Sequence, residues 1–555
     1  MATNARGVGS NPPRSYFSVW QRLLRGYGPL AVLAALLLMV SLLIPSKVQS
    51  KSGVSTTGSG RQSATAANGA KSATATTAPG TAGQTAGATD PNAAAAAQQG
   101  TAAAGVAQCQ GDQVSGDPYS PPCMQFSGDN GGSTYHGVNA TEIHVAYRVL
   151  NEKGFQQTLA ALAGASLTDT PDDVKRTIEA LGEYFNSHYQ FYGRKIVWDF
   201  YDGQGSDTTE LLGQGRDKAE ADATTVQSMG SFADMSANSE PYANALANKD
   251  IIGFGDPYLS TQWHDEHAPY IWSIASSGTE VANFAAEYST KKLCGKPAVY
   301  AGGDLKGKPR KFASMAPENP WYQESVQVAR QTFQNAGCDP GVNVEYSLDL
   351  GTMSNQATNI VAQLQSQGVT TIVCGCDPII PVFLSSRANS QGYFPEFIVV
   401  GTALTDTDIV GQLWDQNFAK HAFGVSSLTE PMPAQQSIGY AAYKTVRQDE
   451  PAFSVDLIYY QMAQMAIGLQ MAGPDLTPQT FQQGMFAYPR KLGPAGSWGF
   501  GEHDYTTADD VREICWDPNA ISNYNQKQGA FVETDHKRYT EGEIPQGDPG
   551  CPVPQ

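Results

Sequence analysis

The 555-residue sequence has few positive charges and no familiar catalytic motif. Lys and Arg number 35 and Asp and Glu number 53, so the formal net charge is -18 at pH 7. A nucleic-acid surface needs clustered cations that neutralise phosphates, and this balance therefore argues against a general nucleic-acid binder. Neither a G-x-S-x-G nucleophile elbow nor an HExxH helix occurs. We therefore expect a protein that is not an enzyme and that needs no cofactor.

One incomplete motif lacks the residue that would make it a nucleotide site. In the stretch GGDLKGKPRK, Gly302, Gly307 and Lys308 match the phosphate-binding loop G-x-x-x-x-G-K, but Pro309 replaces the Ser or Thr that coordinates magnesium. The stretch also leads into a predicted strand, whereas a phosphate-binding loop leaves a strand and enters a helix. Phosphate binding is therefore not expected here.

Two other motifs are incomplete in the same way. The stretch HDEH at 264–267 has two histidines but no third metal ligand at a suitable spacing, so a solvated loop is expected and no metal site. Gly203 and Gly205 follow a predicted strand without the third glycine of a dinucleotide fingerprint, which predicts a turn.

Near the N-terminus, the apolar run Leu30–Ile44 is fifteen residues long, shorter than the about 20 residues of a typical spanning helix. It follows a basic segment, 1–29, that contains Arg14, Arg22 and Arg25. The segment 30–45 is therefore either a signal sequence, cleaved near Val48–Ser50, or a single-pass membrane anchor. Both interpretations place the rest of the chain on the extracytoplasmic side. No cysteine follows the run closely, which argues against a lipid anchor.

Aromatic residues are absent from residues 46–108, where Ala, Thr, Gly, Ser and Gln dominate. Such a composition cannot bury enough apolar surface to offset the entropy of ordering. The segment 46–108 is predicted to be a disordered linker.

The cysteines form an even set, which predicts disulfides in an oxidising compartment. Proximity in sequence suggests two pairs at the ends of the folded region and a third around one strand-helix unit. Cys374 and Cys376 form a C-x-C pair, for which structural pairing is preferred to a redox or metal role. The candidates are Cys109 with Cys123, Cys294 with Cys338, Cys515 with Cys551, and Cys374 and Cys376.

From about residue 141, short β-branched or aromatic runs alternate with longer helical ones. This alternation predicts an α/β fold with largely parallel sheets. It starts again after residue 293, which indicates two similar lobes, lobe one mainly 138–275 and lobe two mainly 293–425. Ligands of open parallel sheets bind beyond the carboxyl ends of the strands, so a cleft between the lobes is the expected site.

The candidate ligand residues follow predicted strands or open predicted helices. Ordinary structural roles compete with this interpretation, because Ser236 and Asp377 also suit helix N-caps and Trp321 also suits a hydrophobic contact. The ligand-binding candidates are Ser236, Gly255, Asp256, Tyr258, Trp321, Tyr322, Asp377 and Thr402.

The order of these elements resembles a known family. GVNATEIHVAYRV, KFASMAPENPWYQESVQVARQTFQNAG, NQATNIVAQLQSQGVTTIVCGCDP and the ending ICWDPNAISNYNQKQGAFVETDHKRYTEGEIP carry the resemblance, which covers 138–545. They are similar to substrate-binding proteins of ABC transporters in the branched-chain amino acid, or Leu/Ile/Val-binding, family. The resemblance implies a type I periplasmic binding protein fold, two Rossmann-like lobes joined by a hinge. Relative to the family, residues 293–309 resemble an insertion ahead of lobe two.

The resemblance also implies roles for the candidate residues. The family's carboxylate-binding positions fall near Ser236 and 255–258, and its ligand-binding aromatic falls on Trp321. Asp256 replaces an expected Ser or Thr, and the acidic position that holds a ligand ammonium falls on Thr402 or its neighbour. Asp377 or Asp406 would have to substitute. These departures disfavour a branched-chain amino acid and leave another small polar or partly apolar solute.

The expected function is that of an extracytoplasmic receptor on the cell membrane. It would bind an amino acid or related compound between its lobes and deliver it to the permease subunits of an ABC transporter. The alternative is a membrane-anchored ligand sensor or scaffold that uses the same bilobed domain without transport. The expected partners are a small molecule, the permease and, through the N-terminal helix, the membrane, with no nucleic acid.

Overall fold

The computed structural model describes residues 105–150, 158, 169–255 and 258–554 of the chain. The predicted N-terminal helix at 30–45 lies outside these residues, as do Asp256 and nearly all of the predicted linker. Strand β1, Val106–Asp112, already includes the last residues of that linker, 106–108. In the described part of the chain, no helix is long and apolar enough to cross a membrane.

The described region begins with a small hairpin. Strand β1 pairs antiparallel with β2, Pro122–Phe126. The disulfide between Cys109 and Cys123 joins the two strands. Next to the hairpin, Tyr119 is fully buried and its ring stacks on Trp498, with centroids 4.2 Å apart. The hairpin region is therefore attached to the folded domain by an aromatic contact.

Lobe one contains a parallel sheet whose strand order is β4-β3-β5-β6-β7 among the described residues. These strands agree with the predicted α/β alternation, except that the two-residue strand β7 has no strand pattern in the sequence. They are β3 (Glu142–Val149), β4 (Lys195–Asp202), β5 (Ala233–Asp234), β6 (Ile252–Phe254) and β7 (Ile271–Trp272). The helices between them are α1 (Pro171–His188), α2 (Asp207–Leu211), α3 (Arg216–Met229), α4 (Glu240–Ala247) and α5 (Thr261–Glu266).

Helix α1 shows how the sequence determines an element locally. Pro171 occupies the first turn, where its missing N–H costs nothing. The Thr170 side chain accepts a hydrogen bond from the Asp173 N–H at 3.1 Å, and the Asp173 carboxylate accepts one from the Thr170 N–H at 3.1 Å. Apolar residues such as Ile178 and Phe185 face the core of lobe one.

Lobe two contains a larger sheet with the order β16-β15-β12-β11-β10-β8-β9. Its first strands are parallel, as predicted, although β12 itself was not among the predicted strands. They are β8 (Phe312–Pro317), β9 (Val342–Tyr346), β10 (Thr371–Cys374), β11 (Glu396–Val399) and β12 (Ala422–Ser426). The helices of this part are α6 (Gly278–Lys292), α7 (Pro320–Asn335), α8 (Met353–Ser366), α9 (Ile380–Ser390), α10 (Asp408–Gly411) and α11 (Gln416–Ala419).

The expectation of parallel sheets needs one correction. The long strands β15 (Asp510–Ile521) and β16 (Gln528–Thr540) form a hairpin, and β15 pairs antiparallel with β12. The turn between them is short, and a short connection can join only antiparallel neighbours. Lobe two therefore has a mixed sheet.

The chain crosses between the lobes three times within the described residues. It leaves lobe one after β7, returns after β12, and enters lobe two again before β15. The returning part comprises α12 (Ile438–Val446), α13 (Val455–Met471), α14 (Pro478–Phe486), β13 (Lys491–Gly493) and β14 (Gly496–Trp498). Residues of α12 to α14 belong to the same hydrophobic core as β3 and α1, so these helices complete lobe one.

All predicted disulfides are present. Besides the hairpin pair, Cys294 bonds Cys338 and Cys515 bonds Cys551. Cys374 and Cys376 bond each other at the carboxyl end of β10. The described chain has no free cysteine. These crosslinks suit an oxidising compartment, and those that close loops of 36 and 44 residues limit the unfolded ensemble most.

The basic stretch at 302–311 is a structural connection into lobe two. A short 3-10 turn covers Gly303–Leu305. Arg310 forms a bidentate ion pair with the buried Glu396, with both N–O distances 2.8 Å. Lys306 donates to the carbonyl of Pro554 at 2.7 Å. Lys311 donates to the carbonyl of Gln367 at 2.7 Å. Three cations of this stretch are therefore engaged within the fold.

Candidate functional site

The two lobes touch through loops that follow the carboxyl ends of parallel strands. From lobe one, the Tyr258 hydroxyl accepts a hydrogen bond from the backbone N–H of Ala403 in lobe two at 2.8 Å. Tyr258 follows β6 and Ala403 follows β11. Both have left-handed backbones, with φ of 58° and 46°, which non-glycine residues seldom adopt. The structure thus brings the predicted residues Tyr258 and Thr402 to opposite sides of one contact.

The start of helix α7 makes a second contact between the lobes. Trp321 is 9% exposed and packs in a cluster of lobe one that includes Tyr242 and Leu246. Gly213 in lobe one leaves room for the ring, since a Cβ there would lie 2.9 Å from it. Trp321 was a candidate for ligand binding, with a hydrophobic contact as the competing role; in this structure lobe one covers its ring.

Polar contacts on both sides of Trp321 hold the same surfaces together. The side-chain amide of Asn319 donates to the carbonyl of Leu211 at 3.0 Å. The Ser260 hydroxyl donates to the Glu324 carboxylate at 2.7 Å. Tyr322 packs edge-on against Trp321, with ring centroids 5.9 Å apart. The lobes therefore meet directly, as in a closed conformation.

Ser236, a predicted carboxylate ligand, takes part in a hydrogen-bond network inside lobe one. Its hydroxyl donates to Asp234 at 2.5 Å and accepts from the Arg148 N–H at 2.9 Å. Asp234 also accepts from the Tyr242 hydroxyl at 2.8 Å. Burial raises the pKa of Asp234, although the bonds from Ser236 and Tyr242 oppose the shift. In this structure the Ser236 hydroxyl supports the loop after β5.

Gly255 is a position that only glycine fits. Its φ of 116° lies outside the range that side chains tolerate. A Cβ would come within 2.6 Å of both Asn238 and Gln461. Its backbone N–H donates to the carbonyl of Trp272 at 3.1 Å, so the amide continues the sheet.

An ion cluster that sequence reasoning missed lies beside this network. The Arg148 guanidinium, 1% exposed, binds both oxygens of Glu210 at 2.8 and 3.0 Å and lies 3.4 Å from an Asp222 oxygen. It also covers the Tyr242 ring, 3.7 Å from its centroid. Asp222 accepts from the N–H groups of Gln204 and Gly205, at 2.8 and 2.9 Å, which forms the predicted turn.

The electrostatics of this cluster favour a permanently charged Arg148. Burial by itself lowers the pKa of Arg148, but the hydrogen bonds and charge of Glu210 outweigh it and raise the pKa. Burial and the charge of Asp234 raise the pKa of Tyr242 well above its usual range. The sequence contained a sign of this cluster, because Arg148 stands inside the apolar strand EIHVAYRVL and a buried arginine needs an acidic partner.

Asp377 has the structural role that competed with ligand binding. One of its carboxylate oxygens accepts from the N–H groups of Ile379 and Ile380 at 2.7 and 3.1 Å, at the start of α9. The other accepts from the Tyr346 hydroxyl at 2.7 Å. Burial raises the pKa of Asp377, and these hydrogen bonds oppose the shift. Thr402 lies close by, because its hydroxyl donates to the Cys376 carbonyl at 3.1 Å.

Asp406 differs from Asp377 in having few internal contacts. It lies on the loop between β11 and α10 that also carries Thr402 and Ala403, and it is 2% exposed. Among the described residues, neither carboxylate oxygen has a hydrogen-bond partner of normal geometry. Burial raises the pKa of Asp406 to about 6, and the nearby Ser426 hydroxyl and the charge of Arg512 oppose the shift only in part.

The HDEH stretch is the end of a helix with His267 as its C-cap, which corrects the expected loop. It lies in α5, whose N-cap Ser260 accepts from the Trp263 N–H. His264 is 1% exposed and lies parallel to Tyr505. His267 stacks on Trp263, with ring centroids 3.7 Å apart. The two histidines therefore pack against the aromatic rings of Trp263 and Tyr505.

Comparison with known proteins identifies the fold. The sequence model of the family described as "Periplasmic binding protein" matches residues 164–514, more than half of the chain. No curated protein sequence matches the chain.

Among solved structures, the leucine-, isoleucine-, valine-, threonine- and alanine-binding protein of Brucella ovis, in its closed conformation, is 14% identical, with a TM-score of 0.51 over 74% of this chain and 99% of that one. A fatty acid ABC transporter substrate-binding protein of Thermomonospora curvata is 16% identical, with a TM-score of 0.51 over 74% and 95%. An ABC transporter solute-binding protein of Rhodopseudomonas palustris HaA2, in complex with p-hydroxybenzoic acid, is 12% identical, with a TM-score of 0.50 over 72% and 97%.

Three observations now agree. The chain has two α/β lobes, it crosses between them three times, and its family match spans both lobes. The structural similarities show the same fold. This chain therefore belongs to the periplasmic binding protein family.

Proposed function

We propose that this protein is the extracytoplasmic solute receptor of an ABC transporter, which closes its lobes around a small molecule and presents the closed form to the permease. The observation that carries the proposal is the Tyr258–Ala403 hydrogen bond, which joins loops after β6 and β11 across the lobes. A ligand that contacts both loops binds the closed form better than the open one. Differential affinity of this kind is what drives a hinge closure.

The ligand class has to be inferred from the side chains at the contact between the lobes. The three similar structures are named for amino acids, a fatty acid and a hydroxybenzoate, and a shared fold does not choose among them. In lobe one, the Ser236 hydroxyl and the Gly255 amide are already used internally. In lobe two, Asp377 binds backbone groups, whereas Asp406 does not.

We therefore propose a small solute with an apolar body and a cationic or hydrogen-bond-donating group. In this proposal Tyr258 contacts the body, the burial of Trp321 against lobe one holds the lobes closed over it, and Tyr322 and Thr402 line the same contact. The Asp406 carboxylate receives the donor group. A buried carboxylate that the Ser426 hydroxyl and the charge of Arg512 compensate only in part is costly, and a ligand donor would offset that cost. This arrangement supports an amine or amino acid over a simple carboxylic acid.

A ligand screen tests this proposal. The full-length protein is screened by thermal shift against amino acids, small amines, amides, aliphatic acids and hydroxybenzoates, and hits are measured by calorimetry. We expect hits among amino compounds, with binding lost in Asp406→Asn. Hits confined to acids without a donor group would contradict the assigned ligand class. An absence of binding to every class, or a ligand-dependent partner other than a permease, would contradict transport.

The stability of the protein without ligand should depend on Asp406. Its pKa is about 6 in the folded state and 3.8 as the ordinary value, so the folded state binds more protons between these values. Asp406 therefore makes its full contribution to the free energy of unfolding below pH 3.8, and this contribution is lost as the pH rises through 6. We expect Asp406→Asn to be more stable than the parent at pH 7.5, by on the order of 2 kcal/mol, with a smaller difference at pH 4.5.

Urea unfolding at pH 4.5 and pH 7.5 measures this difference. Asp415→Asn is a suitable control, because this aspartate caps a helix and bonds Asn389 at 2.7 Å, so its loss should destabilise the protein at pH 7.5. An Asp406→Asn variant that is less stable than the parent at pH 7.5 would show that the carboxylate is already satisfied.

A further inference from the structure

Two of the segments that cross between the lobes run side by side. Ser273 and Thr506 form a parallel bridge, and the Ser273 N–H donates to the Tyr505 carbonyl at 3.2 Å. The Ser276 hydroxyl donates to the Ala508 carbonyl at 2.8 Å, and the Thr507 hydroxyl donates to the Ile274 carbonyl at 2.7 Å. A group that binds both segments would therefore act on the hinge itself.

Three carboxylates meet at this place. Glu280 lies in the first turn of α6, and Asp504 and Asp509 lie on the other crossing segment. One oxygen from each lies within 4.8 Å of the others. Oxygen ligands contact Ca²⁺ at about 2.3–2.6 Å, so two ligands on opposite sides of one ion lie about 5 Å apart. The spacing suits direct ligands of a single cation.

The internal contacts leave part of this cluster without a partner. One Glu280 oxygen accepts from the Ser277 N–H and the Thr506 hydroxyl, both at 2.8 Å. Asp509 has a side chain that is 9% exposed; one of its oxygens pairs with Arg490. The other oxygen is buried and has no hydrogen-bond partner among the described residues. A buried carboxylate oxygen without a donor indicates a missing positive group.

The charges around the cluster do not balance it. Arg490 pairs with Asp509 but its side chain is 49% exposed, His264 acts on Glu280 and Asp504, and His503 borders the same space. Burial raises the pKa of Glu280. Burial and the charge of Glu280 raise the pKa of Asp504, and burial and the charge of Asp504 raise that of Asp509 although Arg490 opposes the shift. Three acids held this close favour either protons or a cation.

A narrow space lies beside two of the three carboxylates. It borders Glu280, Asp504 and Thr506 but not Asp509, and it is too narrow for the centre of a water molecule. A bare divalent cation approaches carboxylate oxygens more closely than a hydrogen-bonded water does.

We infer that Glu280, Asp504 and Asp509 bind one divalent cation, for which Ca²⁺ is the best match, and that this ion ties two crossing segments of the hinge together. Ca²⁺ accepts irregular oxygen sites, whereas Mg²⁺ requires near-ideal octahedral geometry. The Thr506 hydroxyl offers a neutral oxygen beside these acids, because it already contacts Glu280. The inference does not depend on the proposed solute.

Calcium titration of the full-length protein tests this inference. After treatment with EDTA, we expect Ca²⁺ at a hundredfold excess over its dissociation constant to raise the melting temperature by about 3 °C. Mg²⁺ should have less effect at the same concentration. Calorimetry should give one Ca²⁺ per chain, and Asp504→Asn should abolish both effects.

Matched variants separate this site from a general effect of calcium. Glu430, Glu533 and His536 form a second acidic group, and Glu430 and His536 are exposed, so Glu430→Gln should keep the full calcium response. If Asp504→Asn folds poorly, Asp509→Asn and Tyr505-sensitised terbium luminescence, displaced by Ca²⁺, give the same information. An unchanged melting temperature in Ca²⁺ together with no terbium signal would overturn the inference. So would a calcium response that Asp504→Asn retains.

Discussion

Replacing Arg148 by Ala should destabilise the protein by about 3–5 kcal/mol, the cost of leaving buried charges without their partner. Glu210 is fully buried and would lose its bidentate cation, and Asp222 would keep only backbone donors. The Tyr242 ring would also lose the guanidinium that covers it at 3.7 Å. Urea unfolding followed by circular dichroism measures the loss.

An exposed ion pair provides the control for Arg148. Arg447 and Glu183 are separated by 3.1 Å, with side chains 38% and 59% exposed. Water screens such a pair, so Arg447→Ala should cost less than about 1 kcal/mol. The loss of stability in Arg148→Lys should lie between these two losses, because lysine keeps the charge but loses the bidentate geometry. Equal losses for Arg148→Ala and Arg447→Ala would contradict the buried-cluster interpretation.

Replacing Trp321 by Ala should weaken solute binding more than it weakens the fold. Its ring belongs to lobe two by sequence but packs in lobe one, so its burial stabilises the closed arrangement specifically. Loss of about 2 kcal/mol of apolar contact in the closed form corresponds to a roughly 30-fold loss of affinity for a ligand identified by the screen. Calorimetry measures the affinity, and small-angle scattering of the protein without ligand should report a larger radius of gyration.

Trp414 is the matched tryptophan for this experiment. It is 3% exposed and packs within the core of lobe two. Trp414→Ala should therefore lower the free energy of unfolding by about 3–5 kcal/mol and leave affinity nearly unchanged wherever the protein is folded. If Trp321→Ala shows this same pattern, its contact does not control closure and its role is structural.

Local patterns in the sequence were enough to predict most of the parallel strands and several of the long helices. α1, α3, α7 and β10 follow from caps, apolar periodicity and β-branched runs, which act over a few residues. β7 was missed because its two residues carry no periodic pattern, and the antiparallel pairing of β15 with β12 was missed because it joins segments that are distant in the sequence.

The candidate site could be predicted only in outline. Sequence order placed Tyr258, Trp321 and Thr402 on loops after strands or at a helix start, and the fold brings these loops together at the contact between the lobes. It could not distinguish Asp377, which binds backbone N–H groups, from Asp406, which does not. Both are aspartates after a strand, and only the positions of neighbouring donors separate them.

The sequence by itself determined an acidic α/β chain with paired cysteines, because composition, periodicity and spacing are local properties. The tertiary structure decided which charges are compensated. Arg148 meets Glu210 across 62 residues, and Glu280 meets Asp504 and Asp509 across more than 200. Contacts between residues so far apart in the sequence depend on the strand order in each sheet and on where the chain crosses between the lobes. The energy of a buried charge depends on the partners that this packing supplies.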